Sequence, residues 1–594
     1  MTSPDDNLLR RYIEELSWLR SMGARFATAH PEVAPRLELN DNVCPDPHIE
    51  RLIESFAFLA ARIQSDLASD FPEIASELLQ TLYPHYLNPI PSMTIVRFLP
   101  RPDPPTGATI PRDTKLFLET TEGDVCRFRT CYPVKVWPIA VTDVSVVDGF
   151  DFKYPAHRRR ATSVLRLRLH ATHAPFEELQ VDTLRVFLDS ETIVNRLYAL
   201  LVGGDPKRVT IVPPDEITIP PDEYLEVSPV GFEDDEDVIH YPRLAHPAYR
   251  LLQEYFSFEP KFHFIDIKGL EGRLHGTDVD LLFLLDAEPP ASAVLHRDDF
   301  LLGCAPAVNL FTKTSEPIRV NHFNIEYRLV PDHRRQASTA IHSIRSVSGS
   351  SNAAQTSREY APFYSFTHDM TRNGQDAFWH ARREGDDVFL SFRDTNFDPA
   401  LPGDEVVYAH LLCTNGDYAA EIQGGHPLHS DEDLAVERIV AVRKPTRSMR
   451  PAHGGELLWR LVSHLSLNYL SLEDSDAALR ALREILLLYC PADARTPRRR
   501  IDGIRGISSR KVTRRVRNAW NGFARGTEID LAFEDDLIDD NGFLFASVLS
   551  RFFGLHASIN SFSQLVVHRD GVDTTRDDSK GMQWPIMTGG KAVL

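Results

Sequence analysis

The sequence has few of the features that mark chemistry at a glance. Cysteine is scarce: six in 594 residues (Cys44, Cys126, Cys131, Cys304, Cys413, Cys490), with no C-x-x-C pair. That points to neither a zinc ribbon nor a disulfide framework and fits reduced, partly buried thiols in a cytosolic protein. No glycine-rich loop followed by Lys and Ser or Thr offers backbone amides to a nucleotide phosphate; Gly424-Gly425, Gly454-Gly455 and Gly589-Gly590 lack the spacing and the preceding strand. A G-x-S-x-G nucleophile elbow is missing, as is the H-E-x-x-H spacing that aims two imidazoles at one zinc ion. The histidines are scattered, and His464 and His85 read as packed or surface residues. No run approaches the ~20 uncharged apolar residues that span a bilayer. The opening MTSPDDNLLRRYIEEL is acidic and has none of the parts of a secretory signal. Positive charge is in deficit as well: 65 basic against 85 acidic residues, net −20, argues against whole-chain affinity for nucleic acid or an anionic membrane.

What is present describes a folded, multidomain chain. Hydrophobic content of 42% with 25% charged residues is ordinary for a soluble protein. The length exceeds what one core supports, so about three or four domains are expected. The pattern predicts an α+β chain: a helical module over 1–95, a β-rich domain with short helices over 96–345 and a mobile linker over 346–360. A second β-rich region over 361–445 and a mixed α+β domain over 446–594 complete it.

In the first module, Tyr12, Leu16 and Leu19 belong to an amphipathic helix over 5–23, and Phe56 and Leu59 to a second over 47–69. A third, over 72–82, ends in a proline-studded run containing Tyr83, His85 and Tyr86. Three short helices have little core of their own, so an apolar face is expected to pack on another domain or another chain. From Ser92 the period changes to two, as in Val164–Leu169 with its Leu-Arg-Leu-Arg-Leu alternation. Short helices over 192–201 and 247–255 interrupt the strands. Ten acids and no Lys or Arg fill 215–237, a solvated loop or a docking surface for a basic partner. Residues 445–451 look like a second linker, followed by helices over 455–470 and 476–488.

Near the end the charge is sharply divided. Residues 495–525 hold eleven bases against one acid, and 528–540 hold seven acids and no base. The basic run, with Arg510, Arg514 and Arg515, lacks the interleaved aromatics of a single-strand groove. Neutralisation within the fold or docking to another subunit suits it better than nucleic acid. Ile529, Leu531 and Phe533 then alternate as on a strand. A helix follows from Asn541, carrying Leu544, Phe545, Val548, Leu549, Phe552 and Phe553, and then a strand over 559–567.

Strings of residues along the whole chain carry a resemblance. They begin with Tyr12, Glu15, Leu19, Gly23, Phe26 and His30-Pro31, then Cys44-Pro45-Asp46-Pro47, Glu54-Ser55-Phe56-Ala57-Phe58-Leu59 and Leu82-Tyr83-Pro84-His85-Tyr86. Val230-Gly231-Phe232, Tyr249 to Phe256, Asn309-Leu310-Phe311, Cys413-Thr414-Asn415, Leu457 to Leu461, Arg551-Phe552-Phe553 and Ser558 to Phe562 continue in order. Together they resemble the TssF (VasA/ImpG) family of type VI secretion baseplate proteins. Gly416 stands where that family usually has Arg, and the tail after His568 is less typical.

The resemblance implies a fold like the baseplate wedge of contractile phage tails and a scaffold role without catalysis, cofactor or metal. It implies a second TssF copy and TssG in a two-to-one unit, TssK, TssE, the spike hub and neighbouring wedges as partners, with no nucleic acid and no direct membrane insertion. The location implied is the cytoplasm, in a baseplate docked at the inner membrane of a Gram-negative bacterium. The candidate interface positions are Tyr12, Leu16, Leu19, Phe56, Leu59, Tyr83, His85, Tyr86, Arg510, Arg514 and Arg515. Two other readings stay open at this level: a nucleic-acid-binding module through 495–525, and an enzyme in the β-rich region without a recognisable motif.

Overall fold

The structure is a computed structural model. It describes 84–450 and 475–589 apart from 102–106, 121–122, 157–159, 191–192, 204–207, 222–223, 242–245, 290–294, 321–323, 351–357, 364–377, 394–405, 492–493, 516–522, 535–541, 559–560 and 570–580. Before residue 84 it describes 12–13, 16, 19, 51–52, 54–59 and 62. The chain divides into two compact units, one of 1–87 with 452–467 and one of 88–451 with 468–594. In the first, all the described positions before residue 84 are helical, as expected, and a 3-10 turn, Pro84–Leu87, follows. The helices expected over 72–82 and 455–470 lie outside the described residues.

In the second unit the principal elements are β1 (Met93–Pro100), β2 (Ser163–Ala171), β3 (Thr183–Leu188), α1 (Val194–Val202), α2 (Pro247–Ser257), β4 (Phe264–Lys268), β5 (Asp278–Leu285) and β6 (Cys304–Val308). They continue with β7 (Ala340–Ser350), β8 (Val406–Thr414), β9 (Val436–Ala441), α3 (Ser475–Tyr489), α4 (Arg495–Asp502), β10 (Ile504–Arg515), β11 (Phe523–Phe533), α5 (Gly542–Leu555) and β12 (Ser561–Arg569).

β1 sits inside a six-stranded sheet, antiparallel to β6 on one side and β9 on the other, with Met93 opposite Val308 and Val96 opposite Ala441. Its residues Met93 to Val96 are all buried, because both faces of the strand are covered. An eight-stranded antiparallel sheet holds β3, β4, β5 and β2. In β2 the period of two does the sorting: Leu165, Leu167 and Leu169 are fully buried, while Arg166 and Arg168 point to the opposite face.

A further sheet is built on the β7–β8 pair. Residues 346–350, expected at the start of a linker, instead continue β7, with Ser346 to Ser350 paired to β8. Small polar side chains carry no apolar signal, but a neighbouring edge supplies their backbone partners. The linker expected over 445–451 is likewise tied down. Thr446 N–H donates to the Met93 carbonyl, its Oγ1 accepts from Met93 N–H, and Met449 and Ile90 exchange backbone bonds.

In the C-terminal part, β11 runs antiparallel to β10 and parallel to β12, with α5 as the crossover that a parallel pair requires. Leu544, Phe545, Val548, Leu549, Phe552 and Phe553 of α5 are buried as their spacing predicts. Phe545 stacks on Tyr255 of α2 at 5.5 Å between ring centroids, and Phe552 meets Tyr249 edge-on at 5.8 Å. Aromatic pairs of this geometry add about 0.5–1.5 kcal/mol each beyond their buried area.

Candidate interface surfaces

The charge-rich features of the sequence were the first candidates for function, and most of them are consumed inside the fold. Parts of the acidic 215–237 run are held by bases from elsewhere in the chain. Asp215 pairs with Arg168 at 2.6 Å, and Arg168 also forks onto Asp280. Glu236 folds back so that its Oε2 accepts from the N–H groups of Gly231, Phe232 and Glu233. Gly231 has φ +100 and its missing Cβ would lie 2.8 Å from the Lys261 carbonyl, so this turn needs glycine. Arg250 donates to the carbonyls of Glu233 and Asp234, and Arg112 to the Asp235 carbonyl and the Asp237 carboxylate.

Beneath that loop lies a fully buried ion pair. Lys261 Nζ donates to Glu254 Oε2 at 2.5 Å and to the Glu236 carbonyl at 2.9 Å, and both side chains are 0% exposed. Glu254 Oε1 accepts from the N–H groups of Val238 and Ile239. Burial pulls the Lys261 ammonium below its ordinary pKa, against the opposing pull of Glu254. The spacing of Arg250 and Glu254, four apart in an otherwise apolar helix, was the available sign of this cluster. Every residue of α2 from Ala248 to Phe256 is buried, so charges there have to be paired inside.

The family landmarks at Asn309 and Asn415 prove structural for the same reason. Asn415 N–H donates to Asn309 Oδ1 at 2.6 Å, and Asn309 Nδ2 returns a bond to Asn415 Oδ1 at 2.8 Å. Asn415 Nδ2 also reaches the carbonyls of Val125 and Ser338, and its Oδ1 accepts from Arg127 N–H. Two buried amides thereby fasten four chain segments, around 125–127, 309, 338 and 415, to one another.

A cleft of about 470 Å³ opens where Arg328, Arg383, Asp386, Asp387, Tyr418 and Arg450 meet. Two of its three carboxylates are neutralised, Asp387 by Arg328 at 2.6 Å and Asp386 by Arg450 at 2.7 Å; the third is Asp417. Arg383 is occupied by the carbonyls of Ile341 and His342.

The expected interface residues are divided between the two units. In the helical unit, Tyr12, Leu16 and Leu19 are half-buried, and the Tyr12 ring meets Phe58 edge-on at 6.3 Å. Ala57 is fully buried, whereas Leu52, Phe56 and Leu59 are 69%, 62% and 52% exposed and Ile13 is 56% exposed. Positions 52, 56 and 59 recur at i, i+4 and i+7, which is one face of a helix. His85 and Tyr86 lie in the 3-10 turn, Tyr86 half-buried; Tyr83 lies outside the described residues. Arg510 and Arg514 of β10 both engage the Glu528 carboxylate of β11, and that carboxylate side chain is only 1% exposed. Arg515 is exposed at the end of β10.

Internal charge clusters that clamp loops onto sheets, with no group of metal-ligating side chains among the described residues, define the class: a β-rich structural subunit. The model of the family "Type VI secretion system, TssF" matches residues 4–591. The chain is 31% identical over 635 aligned positions to the type VI secretion system component TssF1 of Pseudomonas aeruginosa (strain PAO1), covering 99% of both chains. Among solved structures, it is similar to a chain of the TssK-TssF-TssG baseplate subcomplex, determined by cryo-electron microscopy. The TM-score is 0.70 at 26% identity, over 90% of this chain and 98% of that one. A chain of the baseplate complex from the type VI secretion system shares the fold, with TM-score 0.58 at 24% identity, over 99% and 100% of the two chains. The chain belongs to the TssF family and is a structural component of the type VI secretion baseplate.

Proposed function

We propose that this chain acts without catalysis as a wedge scaffold, joining a second copy of itself and one TssG through its helical unit. The subunits named beside TssF in the similar subcomplex, TssK and TssG, are the direct partners on this reading. TssE, the spike hub and neighbouring wedges complete the assembly, in the cytoplasm at the inner membrane of a Gram-negative cell. The observation that carries the reading is the stripe Leu52, Phe56 and Leu59, three large apolar side chains left more than half exposed on one helix face. Burying what each still exposes against a partner helix is worth about 1–2 kcal/mol, and an open patch of this kind is a mark of a protein–protein contact. Tyr12, Leu16 and Leu19 extend the same contact, and Tyr83, His85 and Tyr86 belong to a docking turn. Arg510, Arg514 and Arg515 serve a separate contact.

Co-expression with the TssG subunit tests the reading. The wild-type chain should copurify at about two to one, and the Phe56→Asp/Leu59→Asp variant should lose TssG while its circular dichroism stays that of the wild type. Wild-type recovery of TssG by the folded variant would remove the stripe from the interface. Failure of the wild-type chain to copurify would remove the wedge role.

A further inference from the structure

The basic strand β10 combines three properties that the scaffold reading leaves unused. It is the terminal strand of its sheet, whose order runs β10, β11, β12, and among the described residues no strand pairs with its outer edge. It is also long, at 12 residues. α3 packs against this strand, and Arg483 of α3 donates to the Ile504 carbonyl at its start; beyond that, an edge strand presents a row of unused N–H and C=O groups, because only every second residue turns its backbone groups toward the antiparallel neighbour. Finally, it leaves the body of the domain. Ile504 and Ile507 are buried, but from Ser508 to Arg515 the residues on both faces are exposed or half-exposed. The third strand, β12, begins its pairing with β11 only at Arg525, so Arg514 and Arg515 oppose Ala524 and Phe523 on a two-stranded ribbon.

The ribbon is cationic in an acidic chain. Arg510, Lys511, Arg514, Arg515 and Arg525 stand against two carboxylates, Glu528 and Asp530, which leaves five minus two, or three, net positive charges where the whole chain carries −20. Glu528 is occupied by Arg510 and Arg514 on one face. On the other face the alternation places Lys511, Thr513 and Arg515 opposite Thr527, Arg525 and Phe523. Lys511 donates only to the Thr527 hydroxyl, at 2.9 Å, and Arg515 and Arg525 have no ion-pair partner among the described residues. Phe523, 59% exposed, adds an apolar anchor at the end of that face.

We propose that the free edge of β10 captures an extended acidic segment of a partner polypeptide by strand addition. The incoming backbone takes up the outward N–H and C=O groups, and acidic side chains at every second position fall beside Lys511 and Arg515, as opposite charges do across strand pairs. Edge lysines also discourage indiscriminate strand pairing. Here the same charges admit one class of strand and repel the rest. The proposal deepens the contact assigned above to the β10 arginines and rests on the scaffold reading only in drawing its segment from another subunit.

The test needs no TssG, so its outcome is separate from that of the co-expression experiment. A fluorescent dodecapeptide alternating Glu with Val and Thr is titrated into the purified full-length chain, beside three controls. These are the same peptide N-methylated at every second residue, a Lys-for-Glu peptide and a single-stranded oligonucleotide of about 20 nucleotides. The acidic peptide should bind, with at least tenfold weaker binding after N-methylation, because strand addition needs one edge of amides intact. The Lys511→Glu/Arg515→Glu variant should lose at least tenfold, and Lys511→Gln/Arg515→Gln several-fold, with hydrogen exchange in 523–533 unchanged. Three results would overturn the proposal: no binding of the acidic peptide, equal binding of its N-methylated form, or an oligonucleotide that binds where the peptide does not.

Discussion

Replacing Lys261 with Met removes one charge from the most deeply buried ion pair among the described residues and predicts a large, local loss of stability. The methionine fills nearly the same volume, so the loss is electrostatic. Without the ammonium, Glu254 Oε2 and the Glu236 carbonyl lose their donor in a site with 0% exposure, and the nearest remaining cation, Arg250, stands 3.8 Å from that oxygen. Breaking one side of a buried pair costs about 3–5 kcal/mol. The cost should fall on the 231–239 loop, because Glu254 Oε1 holds the Val238 and Ile239 amides and Lys261 holds Glu236. At about 1.4 kcal/mol per factor of ten, amide exchange in that loop should rise by about two to three and a half orders of magnitude. Adding Glu254→Gln should recover more than half of the loss, since the amide oxygen still accepts from a backbone N–H and the stranded charge is gone. Glu254→Leu should recover less, because it orphans both amides at about 1–3 kcal/mol each. Native-state hydrogen exchange by mass spectrometry reads the loop directly, without assuming that so large a chain unfolds in two states. Exchange within tenfold of wild type in a folded Lys261→Met protein would refute the clamp.

Acid should weaken the fold through two buried imidazoles. Burial, helped by the charge of Arg383, pushes His342 down to about 3, and burial with the neighbouring His246 pushes His556 down to about 4. Both stay neutral in the folded chain, while their unfolded forms take up a proton below about 6.5. Their stabilising contribution is therefore complete above pH 6.5 and declines as pH falls toward 4, by about 1.4 kcal/mol per unit for each group. Denaturation midpoints at pH 7.5, 6 and 5 should show a shallower acid slope in His342→Gln than in wild type; parallel slopes would refute this role. The thiols provide an independent check on packing. Burial pushes Cys126 up to about 11 and Cys304 and Cys413 up to about 12, and raises Cys131 as well. Iodoacetamide should leave these four unmodified in the native protein and label them only in denaturant, with half-buried Cys490 as the internal comparison. Rapid native labelling of Cys131 would contradict its place in the core.

Periodicity made the regular elements readable, because in β2 and α5 one physical requirement, an apolar side toward the core, sets one spacing. Leu165, Leu167 and Leu169 alternate and are buried, and the six large side chains of α5 recur at helical intervals and are buried. The signal fails where backbone pairing rather than side-chain burial fixes the conformation. Residues 346–350 and 445–451 have loop-like composition, yet one run extends a strand and the other is bonded to Met93 and Ile90. It fails again for charge. The acids of 215–237 resemble a solvated surface in sequence because Arg112, Arg168, Arg250 and Lys261, which satisfy them or their backbone, are remote along the chain. At the candidate interface, the helical setting of Phe56 and Leu59 was legible from their spacing, and their exposure follows from having no core large enough to cover them nearby in sequence.

The two outward surfaces differ in a way that bears on how such a subunit assembles. The Leu52, Phe56 and Leu59 stripe offers apolar area and no charge, so a contact made there draws on water release and is nearly indifferent to ionic strength. The β10 ribbon offers backbone groups and exposed cations, so a contact there begins with electrostatic attraction that a Debye length of about 8 Å at physiological salt confines to close approach. A stripe of this kind suits partners that stay together once joined. A cationic edge suits a partner that must find its place among many similar surfaces and be rejected when its charge is wrong. Where Glu236 and Asp280 are met by backbone amides and by Arg168 inside the fold, Lys511 and Arg515 of β10 have no ion-pair partner among the described residues, and that contrast makes them the more informative.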